Sequence, residues 1–405
     1  MEYSLKRLLG LQAFQVNKAV NEGQTIVFEV TPRRKTGDCP RCQRRCHRIH
    51  GYLKNQRVKH IRIGMRLSWL ALTKRRFYCQ HCLKAFTERI ESVKYRHRIS
   101  QPAKEQVLSY LVDRSFRSAK KQTGIGYHSQ RRYLMEKVQP FIWDWSEELT
   151  HTQDISLGMD EISFSGHEMI RVITNVSGKK LKTILPDDTR LTLFRALNWI
   201  PEGVSRRIKE VAIDLNWDSK TCVEKYLPQA KVVADRFHVI QNANQRISRE
   251  RTVAQDRVGR GFRIPKQLFE ANREDLTEQE QVQLKRYLTS FPELRFYWEA
   301  KERLREMYRQ RNRQRAEEIL DSLIAAMETS HDRDLKQWAG TLYRWKEPIL
   351  NFFDNRTTNG FTEGVNTKLK LIKRISYGFR NREVFIRKAM LAFIPFAVLL
   401  PHLMA

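Results

Sequence analysis

Three acidic residues occupy positions from which separate elements could bring them together. Asp160 and Asp214 each follow a short apolar run typical of a buried β-strand, and Glu363 lies in the first turn of a later, basic helix. Carboxylates about 4 Å apart repel each other by roughly 4 kcal/mol per pair at an effective dielectric constant near 20. Such a cluster needs a cation, and Mg²⁺, which binds carboxylate and phosphate oxygens, is the expected occupant.

Two C-x₂-C motifs near the start of the chain form a second candidate site. They consist of Cys39 with Cys42 and Cys79 with Cys82, and two alternating strand-like runs lie between them. Four thiolates at the ends of a small β-ribbon can bind a structural Zn²⁺ tetrahedrally. Because residues 43–78 make the spacing longer than usual, four nearby side chains remain alternative ligands: Cys46, His47, His50 and His81.

The charge of the chain indicates a polyanionic partner. Lys and Arg number 75 against 45 Asp and Glu, which gives a formal net charge of +30 and a pI near 10.1 in 405 residues. The basic residues are spread along the chain among aromatic ones and do not form one amphipathic face, which favours nucleic acid over a membrane surface. The longest apolar stretch, residues 389–401, contains Pro395 and is too short to span a bilayer. We therefore expect a cytoplasmic protein with no membrane partner.

The chain reads as a multidomain α+β protein of three segments. Residues 1–95 are expected to form a zinc-ribbon DNA-binding domain, and residues 96–150 a helix-turn-helix domain with a connector, because Gly124 and Gly126 separate two short helices. Basic side chains near the two C-x₂-C motifs could contact phosphates. Polar side chains on the helix that is predicted to begin at Tyr127 or His128 could contact base edges as well. The predicted DNA contacts in these segments are Arg44, Arg45, Arg75, Arg76, Gln130, Arg131, Arg132 and Lys137.

The third segment, residues 151–405, has the order of a ribonuclease H-like α/β domain: three strands, followed by alternating helices and strands. Strands are expected at residues 155–159, 167–175, 181–185, 210–213 and 231–234, with helices at 191–198 and 219–226. In that fold the first and fourth strands are neighbours, so Asp160 and Asp214 would meet at their carboxyl ends.

A charged, helical stretch at about residues 240–350 is expected to be an all-helical insertion in this domain. The helix that carries Glu363 follows it, from residue 361 to about residue 372. Glu363 could simply complement the helix dipole, but the basic residues that follow it indicate a phosphate-binding surface. These further predicted DNA contacts are Lys368, Lys370, Lys373 and Arg374.

Joined together, these motifs resemble bacterial transposases of the ISL-three insertion-sequence family over nearly the whole chain. The resemblance rests on the double knuckle, on Met159–Ser163 and Val233–Val239, and on Glu363–Lys373 with Tyr377–Asn381. It implies a DDE triad of Asp160, Asp214 and Glu363 that binds two Mg²⁺ ions, with Mn²⁺ as a possible substitute, and a structural Zn²⁺. Asp235 and His238 match the auxiliary D-x₂-H element that follows the second catalytic acid.

The implied activity is metal-dependent cleavage and strand transfer of DNA. The implied partners are the terminal inverted repeats of the element and its target DNA, with a homodimer joining two ends in the nucleoid of a bacterial cytoplasm. Asp235 remains an alternative for the second acid, Glu161 a weaker one for the first, and Asp218 offers another carboxylate nearby. Two other functions remain open: a non-catalytic DNA-binding regulator derived from a transposase, and a metal-dependent nuclease without joining activity.

Overall fold

In the computed structural model, which describes residues 6–94, 97–259 and 263–401, the chain divides into two units. Unit 1 contains residues 1–142 and 367–405, and unit 2 contains residues 143–366. The division near residue 142 lies close to the predicted one at residue 150. Residues 367–405, however, pack with the N-terminal segment, although they were predicted to belong to the catalytic segment.

Unit 1 begins with strands of alternating burial. They are β1 (Phe14–Glu22), β2 (Thr25–Pro32), β3 (Gly37–Asp38), β4 (Arg45–Cys46), β5 (Ile49–Ile63), β6 (Arg66–Cys79) and β7 (Lys84–Thr87). Five of them form a sheet in the order β1-β2-β6-β5, with β7 paired to β6, while β3 and β4 form a separate pair. Alternate residues of β6 from Ser68 to Lys74 are buried, and Leu70 and Leu72 lie in the core with Phe14, Val30 and Val58.

The predicted helices between residues 100 and 139 are present in unit 1. They are α1 (Gln101–Asp113), α2 (Phe116–Thr123) and α3 (Tyr127–Val138). The Ser100 and Ser115 side chains cap the first two, and Gly124, with φ +65°, ends the second in the left-handed conformation that glycine tolerates. The C-terminal helix at Arg382–Leu391, which buries residues 384–391, packs against α1 and α3. This apolar contact explains why the C-terminal residues join unit 1.

The sheet of unit 2 combines antiparallel and parallel pairing. Its strands and first helices are α4 (Ser146–Thr150), β8 (Ile155–Ser165), β9 (Glu168–Asn175), β10 (Lys180–Leu185), α5 (Arg190–Asn198), α6 (Glu202–Ser205), β11 (Ile208–Ile213), α7 (Trp217–Tyr226) and β12 (Lys231–Ala234). The strand order is β10-β9-β8-β11-β12, in which β8, β9 and β10 pair antiparallel and β8, β11 and β12 pair parallel. The first and fourth strands of the unit are therefore neighbours, as predicted.

A series of helices follows the sheet, as the charge pattern predicts. They are α8 (Arg236–Val258), α9 (Lys266–Glu270), α10 (Glu278–Ser290), α11 (Pro292–Arg309), α12 (Arg313–Glu328), α13 (Arg333–Arg344) and α14 (Lys346–Asn355). Their buried side chains, such as Tyr297 and Trp338, belong to one hydrophobic cluster with Leu157 and Val233 of the sheet. The helices are thus part of the same core as the strands.

Three helices complete the described chain: α15 (Gly360–Ile375), α16 (Arg382–Leu391) and α17 (Phe396–Leu399). The boundary between the two units falls within α15, after Asn366. Among the helices of the described residues, none combines the length and the apolarity needed to cross a lipid bilayer.

Candidate functional site

The register between β8 and β11 places two of the predicted acids opposite each other. The parallel ladder pairs Leu157 with Val211 and Gly158 with Ala212. Asp160 and Asp214 each lie two residues beyond the last pair, so the same register extended along both strands brings them to the same level. We expected Asp160 to end its strand. It lies inside β8 instead, because pairing with β9 continues past it, with Asp160 opposite Val172.

Two hydrogen bonds orient the Asp160 carboxylate. The Asn366 side-chain amide donates to Oδ2 at 2.7 Å, and the Glu161 backbone N–H donates to Oδ1 at 2.7 Å. His238 lies next to it, with Nε2 4.0 Å from Oδ1. Asn366 was missed by the sequence analysis, although its position three residues after Glu363 places both on one face of α15.

The first turn of α15, which carries Glu363, is fastened to β8 and β9. The Asn359 side chain donates to the Met159 carbonyl at 2.8 Å, and the Thr362 and Thr174 hydroxyls are 2.8 Å apart. Asn359 and Thr362 are fully buried. Since these bonds hold the start of the helix against the strand that carries Asp160, two buried polar contacts that directly precede Glu363 in the chain position it.

Asp235 and His238 lie at the start of α8, directly after β12. Asp235 is 2% exposed, and its Oδ1 accepts the backbone N–H of Asn359 at 3.0 Å. Within the described part of the chain, Asp235 Oδ2 and His238 Nε2 are both buried without a hydrogen-bond partner. Buried polar atoms of this kind carry an energetic cost unless a ligand satisfies them.

The electrostatics of the site are those of crowded carboxylates. The pKa of Asp214 is raised to about 6, first by burial and then by the charges of Glu161 and Asp160, while His238 acts in the opposite direction. The pKa of Asp160 is raised mainly by burial, and that of Glu363 by burial and then by the charge of Asp235. Each of these groups is thus less readily ionised than a carboxyl group in water.

Glu161 differs from these groups because it has a cationic partner. The Arg171 guanidinium, 1% exposed, donates to Glu161 Oε1 with a distance of 3.2 Å from Nε. The charge of Glu161 still acts on Asp214, because it helps to raise the pKa of that carboxyl group. No three of the carboxylate and imidazole groups of this site, all of them described, have ligand atoms within 4.8 Å of one another. The arrangement is a cluster that an ion could draw together.

The four knuckle cysteines meet in unit 1. The sulfur atoms of Cys39, Cys42, Cys79 and Cys82 lie within 4.8 Å of one another, with 3.7 Å between those of Cys42 and Cys79. The Cys82 backbone N–H lowers the pKa of the Cys79 thiol to about 6, and thiolate is the form that binds Zn²⁺. Four thiolates at this separation fit a structural zinc ion.

The long spacing between the knuckles is explained by β5 and β6. These strands form an antiparallel hairpin with a two-residue turn at Gly64 and Met65, so the chain leaves the cysteine cluster and returns to it. Cys46 lies outside the four-sulfur group: it is buried, and its thiol donates to the Arg44 carbonyl at 3.5 Å. The C-x₂-C sulfurs therefore form the group without it.

The predicted DNA contacts differ in exposure. Exposed are Arg44, Arg45, Arg76, Arg132, Lys368, Lys370 and Arg374; half-buried are Arg75, Arg131, Lys137 and Lys373; and Gln130 is buried.

Gln130 and Arg75 both have hydrogen-bond partners inside the protein. The Gln130 side-chain amide donates to the carbonyls of Ile125 at 2.6 Å and Phe116 at 3.2 Å, so it braces the turn between α2 and α3. The Arg75 guanidinium donates to the carbonyl of Pro32 at 2.9 Å and holds neighbouring chain segments together. The Gln130 amide is buried with these partners, whereas Arg75 is half-buried.

Substitution of Gly158 tests the close approach of α15 to β8. A Cβ atom there would lie 2.2 Å from Thr362 Oγ1 and 2.4 Å from Asn359 Oδ1. We expect Gly158→Ala to lower the free energy of unfolding by about 1–3 kcal/mol, the usual cost of overpacking, in chemical denaturation. Gly364→Ala is the control, because its Cβ meets nothing within 4 Å and alanine stabilises a helix. Equal stability of the two variants would contradict the packing.

Removal of a knuckle cysteine tests the zinc centre. We expect Cys79→Ser to abolish bound zinc, measured by atomic emission on the purified protein, and to expose residues 35–82 to limited proteolysis. Cys46→Ser is the control and should retain the metal, since its sulfur lies outside the cluster. Zinc loss from the Cys46 variant instead would give Cys46 the role of a ligand.

Comparisons with known proteins match two regions of the chain. Residues 157–389 match the DDE transposase family of the ISL3 type, described as a transposase, and residues 35–82 match the zinc-finger of the transposases of IS204, IS1001, IS1096 and IS1165. The second match, together with the cysteine cluster, supports a structural zinc.

Curated relatives extend the match. The chain is 25% identical to the transposase for insertion sequence element IS1001 of Bordetella parapertussis, over 96% of this chain and 97% of that protein. It is also 25% identical to the transposase for element IS1557 of Mycobacterium tuberculosis, over 58% and 59% of the two chains. Because the family match covers more than half of the chain and includes the elements that carry every carboxylate of the site, the chain belongs to the ISL3 family of DDE transposases.

Proposed function

We propose that this protein is a DNA transposase that binds the terminal inverted repeats of its insertion sequence and catalyses metal-dependent strand cleavage and strand transfer. The observation that carries the proposal is the shared register of Asp160 and Asp214 on β8 and β11, beside the buried bonds that fasten the Glu363 turn to β8. Family membership supports the transposase role.

The catalytic domain is proposed to be ribonuclease H-like. Support comes from the strand order β10-β9-β8-β11-β12, with three antiparallel strands followed by two parallel ones. The catalytic acids would then lie at neighbouring strands and at the start of a helix that packs beside them. On this view α8–α14 are an insertion before the helix that carries the last acid.

The residues present fit Mg²⁺. Carboxylate oxygens are the ligands it prefers, Asp160, Asp214 and Glu363 have raised pKa values in its absence, and Asp235 Oδ2 is buried without a described partner. Asp160, Asp214 and Glu363 would hold the ions. Two such ions supply activation of the attacking oxygen and charge stabilisation at the leaving 3′ oxygen when bound.

The remaining polar groups of the site act on the carboxylates. Asn366 and the Glu161 N–H fix the orientation of Asp160, so that its oxygens keep one direction in the free protein. His238 lies beside the same carboxylate, with Nε2 4.0 Å from Asp160 Oδ1. Their contribution is preorganisation of the first acid.

Exposure favours Asp214 over Asp235 as the second acid. Asp160, Asp214 and Glu363 are all half-buried and so can contact both an ion and a substrate, whereas Asp235 is 2% exposed and bonded to the Asn359 backbone. We assign Asp235 and His238 the auxiliary role, in which they hold the start of α8 and of α15 in place.

DNA contact is assigned to the exposed cations. The helices α2 and α3 would form a helix-turn-helix, with Arg131 and Arg132 on the second helix, beside the zinc ribbon with Arg44, Arg45 and Arg76. The exposed Lys368, Lys370 and Arg374 of α15, with the half-buried Lys373, would bind phosphates. Joining two element ends in one reaction requires two protomers, so a homodimer on DNA follows from the proposed reaction.

Carboxylate variants test the reaction on labelled DNA that carries the element's own ends. We expect Asp160→Asn, Asp214→Asn and Glu363→Gln each to lose cleavage and strand transfer by at least about 100-fold while end binding is retained, since each removes a metal ligand. Asp218→Asn, an exposed neighbour in α7, is the control with activity unchanged.

Three other outcomes of this experiment would change the assignment. Loss in Asp235→Asn with activity retained in Asp214→Asn would move the second acid to Asp235. A wild-type protein that cuts but never joins would be a nuclease, and one that binds ends without cutting would be a regulator.

The pH dependence of stability tests the carboxylate cluster without any DNA. Because burial raises the pKa of Asp214 from its ordinary value of 3.8 to about 6, its ionisation lowers the stability of the fold as the pH rises between those values. Without divalent cations, we expect Asp214→Asn to be more stable than wild type above pH 6, by roughly 3 kcal/mol at most, and to lose that advantage below about pH 4.

Magnesium should stabilise the wild type relative to Asp214→Asn. Added Mg²⁺ is expected to raise the melting temperature of the wild type and to leave that of Asp214→Asn unchanged, because only the wild type keeps the full set of ligands. A melting temperature of the wild type that does not respond to Mg²⁺ at millimolar concentration would count against the assigned metal site.

A further inference from the structure

A groove in unit 1 lies outside the sites described so far. Its volume is about 950 Å³, and its walls are the start of α2 and the segment that joins α15 to α16. It contains none of the predicted DNA contacts. The residues that give it its chemistry are Arg117, Lys121, Tyr127, Tyr377, Phe379 and Arg380.

The groove is cationic and has no acidic lining. Arg117, Lys121 and Arg380 are exposed, and none of them forms an ion pair with a described residue. No Asp or Glu lies among the described residues that line the groove. Three cations without counter-ions around one concave surface favour a ligand with several negative charges.

Tyr377 gives the groove a second property. Its side chain is 95% exposed, and its backbone has a φ of +58°, the left-handed region that disfavours a residue with a Cβ atom. The position ends α15 in a Schellman motif, in which the Tyr377 N–H bonds to Arg374 and the Gly378 N–H bonds to Lys373. Glycine is the usual residue at this site, so tyrosine costs free energy that the free protein does not recover by burying the ring.

The chain on either side of Tyr377 is held firmly. The fully buried Lys388 ammonium donates to Ser376 Oγ at 2.7 Å, and the Phe379 ring packs on Phe385 with 5.1 Å between centroids. The Asn381 side chain caps α16 by accepting the Val384 N–H at 2.9 Å. The exposed ring is therefore presented by an ordered turn, which lowers the entropy lost when a ligand stacks on it.

The opposite wall adds a further aromatic surface. Tyr127 is 43% exposed at the start of α3, and its ring meets the edge of Phe116 at 5.0 Å between centroids. Exposed aromatic rings beside unpaired cations are the combination with which proteins hold single-stranded nucleic acid: the rings stack on bases and the cations bind phosphates. In an intact duplex the faces of internal bases are covered by their neighbours, so the Tyr377 ring would find no base to stack on.

We propose that this groove binds an unpaired segment of a DNA strand, with a base stacked on Tyr377 and the flanking phosphates held by Arg117, Lys121 and Arg380. The inference rests on the proposed function only in naming DNA as the polyanion. It gives unit 1 a role beyond duplex recognition: holding a strand that has separated from its partner.

The test measures binding of the full-length protein to a fluorescently labelled single-stranded oligonucleotide and to a duplex of the same sequence. Binding is followed by fluorescence anisotropy in a buffer that contains neither Mg²⁺ nor EDTA. We expect Tyr377→Ala to weaken single-strand binding about 10-fold, or about 1.4 kcal/mol, and to leave duplex binding unchanged. Tyr377→Phe keeps the ring and should bind as the wild type does.

Two further variants separate the ring from the fold. Tyr377→Gly relieves the left-handed strain, so it should raise the melting temperature and still lose single-strand binding, a pair of effects that misfolding would not produce. Tyr343→Ala removes a 68% exposed tyrosine of α13 in unit 2 and should change neither affinity. Lys121→Ala should reduce the slope of log K against log salt for the single strand by about 0.7.

Two results would overturn the proposal. Equal loss of single-strand and duplex binding in Tyr377→Ala would make the groove a contact for the duplex backbone. Unchanged single-strand binding in both the alanine and the glycine variants would show that the Tyr377 ring does not contact the strand and that its partner is another molecule, such as a protein. Neither result depends on cleavage, so a failure of the proposed reaction, seen as a wild type that never cuts, is a separate outcome.

Discussion

Backbone pairing between β8 and β11 sets the geometry of the candidate active site. Two strands that are distant in sequence share a register in which Asp160 and Asp214 reach the same level, one inside its strand and the other just past the end of its own. Glycine at position 158 leaves the space in which Asn359 and Thr362 approach the same strand. The third acid depends on this space, because Glu363 follows Thr362 in the first turn of α15.

This arrangement concentrates negative charge in a partly buried site. Burial raises the pKa of Asp160, Asp214 and Glu363, and the Arg171 guanidinium balances the charge of Glu161 beside them. The buried hydrogen bonds of Asn359, Thr362 and Asn366 hold the acids in spite of their repulsion. A site of this kind is stabilised by a cation and weakened by its removal, which is why ion binding and stability should be coupled.

Unit 1 is small and highly basic, and two features stabilise it. A cluster of four sulfurs holds the ends of the β5–β6 hairpin together. The helix at residues 382–391 packs against α1 and α3 and covers their apolar faces. The same C-terminal segment contributes one wall of the groove at Tyr377, opposite the start of α2. Basic side chains therefore serve two purposes: Arg75 donates to backbone carbonyls, whereas the cations of the groove form no ion pair with any residue that the structure describes.

The amino-acid sequence determined the elements and the chemical type of both sites. Apolar periodicity predicted the helices between residues 100 and 139 and the five strands of the unit 2 sheet, although β8 continues to Ser165. Cysteine spacing identified all four sulfurs of the cluster, because this feature too depends on local order along the chain. The quoted motifs also identified the family, which the match over residues 157–389 bears out.

Only the tertiary structure decided which side chains face one another. Continued pairing with β9 placed Asp160 inside its strand, and burial turned Gln130 inward although its position on α3 suggested a base contact. Asn366 gained its role from a residue about two hundred positions away, and residues 367–405 joined unit 1 through packing against α1 and α3. Contacts of this kind depend on the register of a sheet and on which helix faces are covered, and neither is encoded in the spacing of residues within one element.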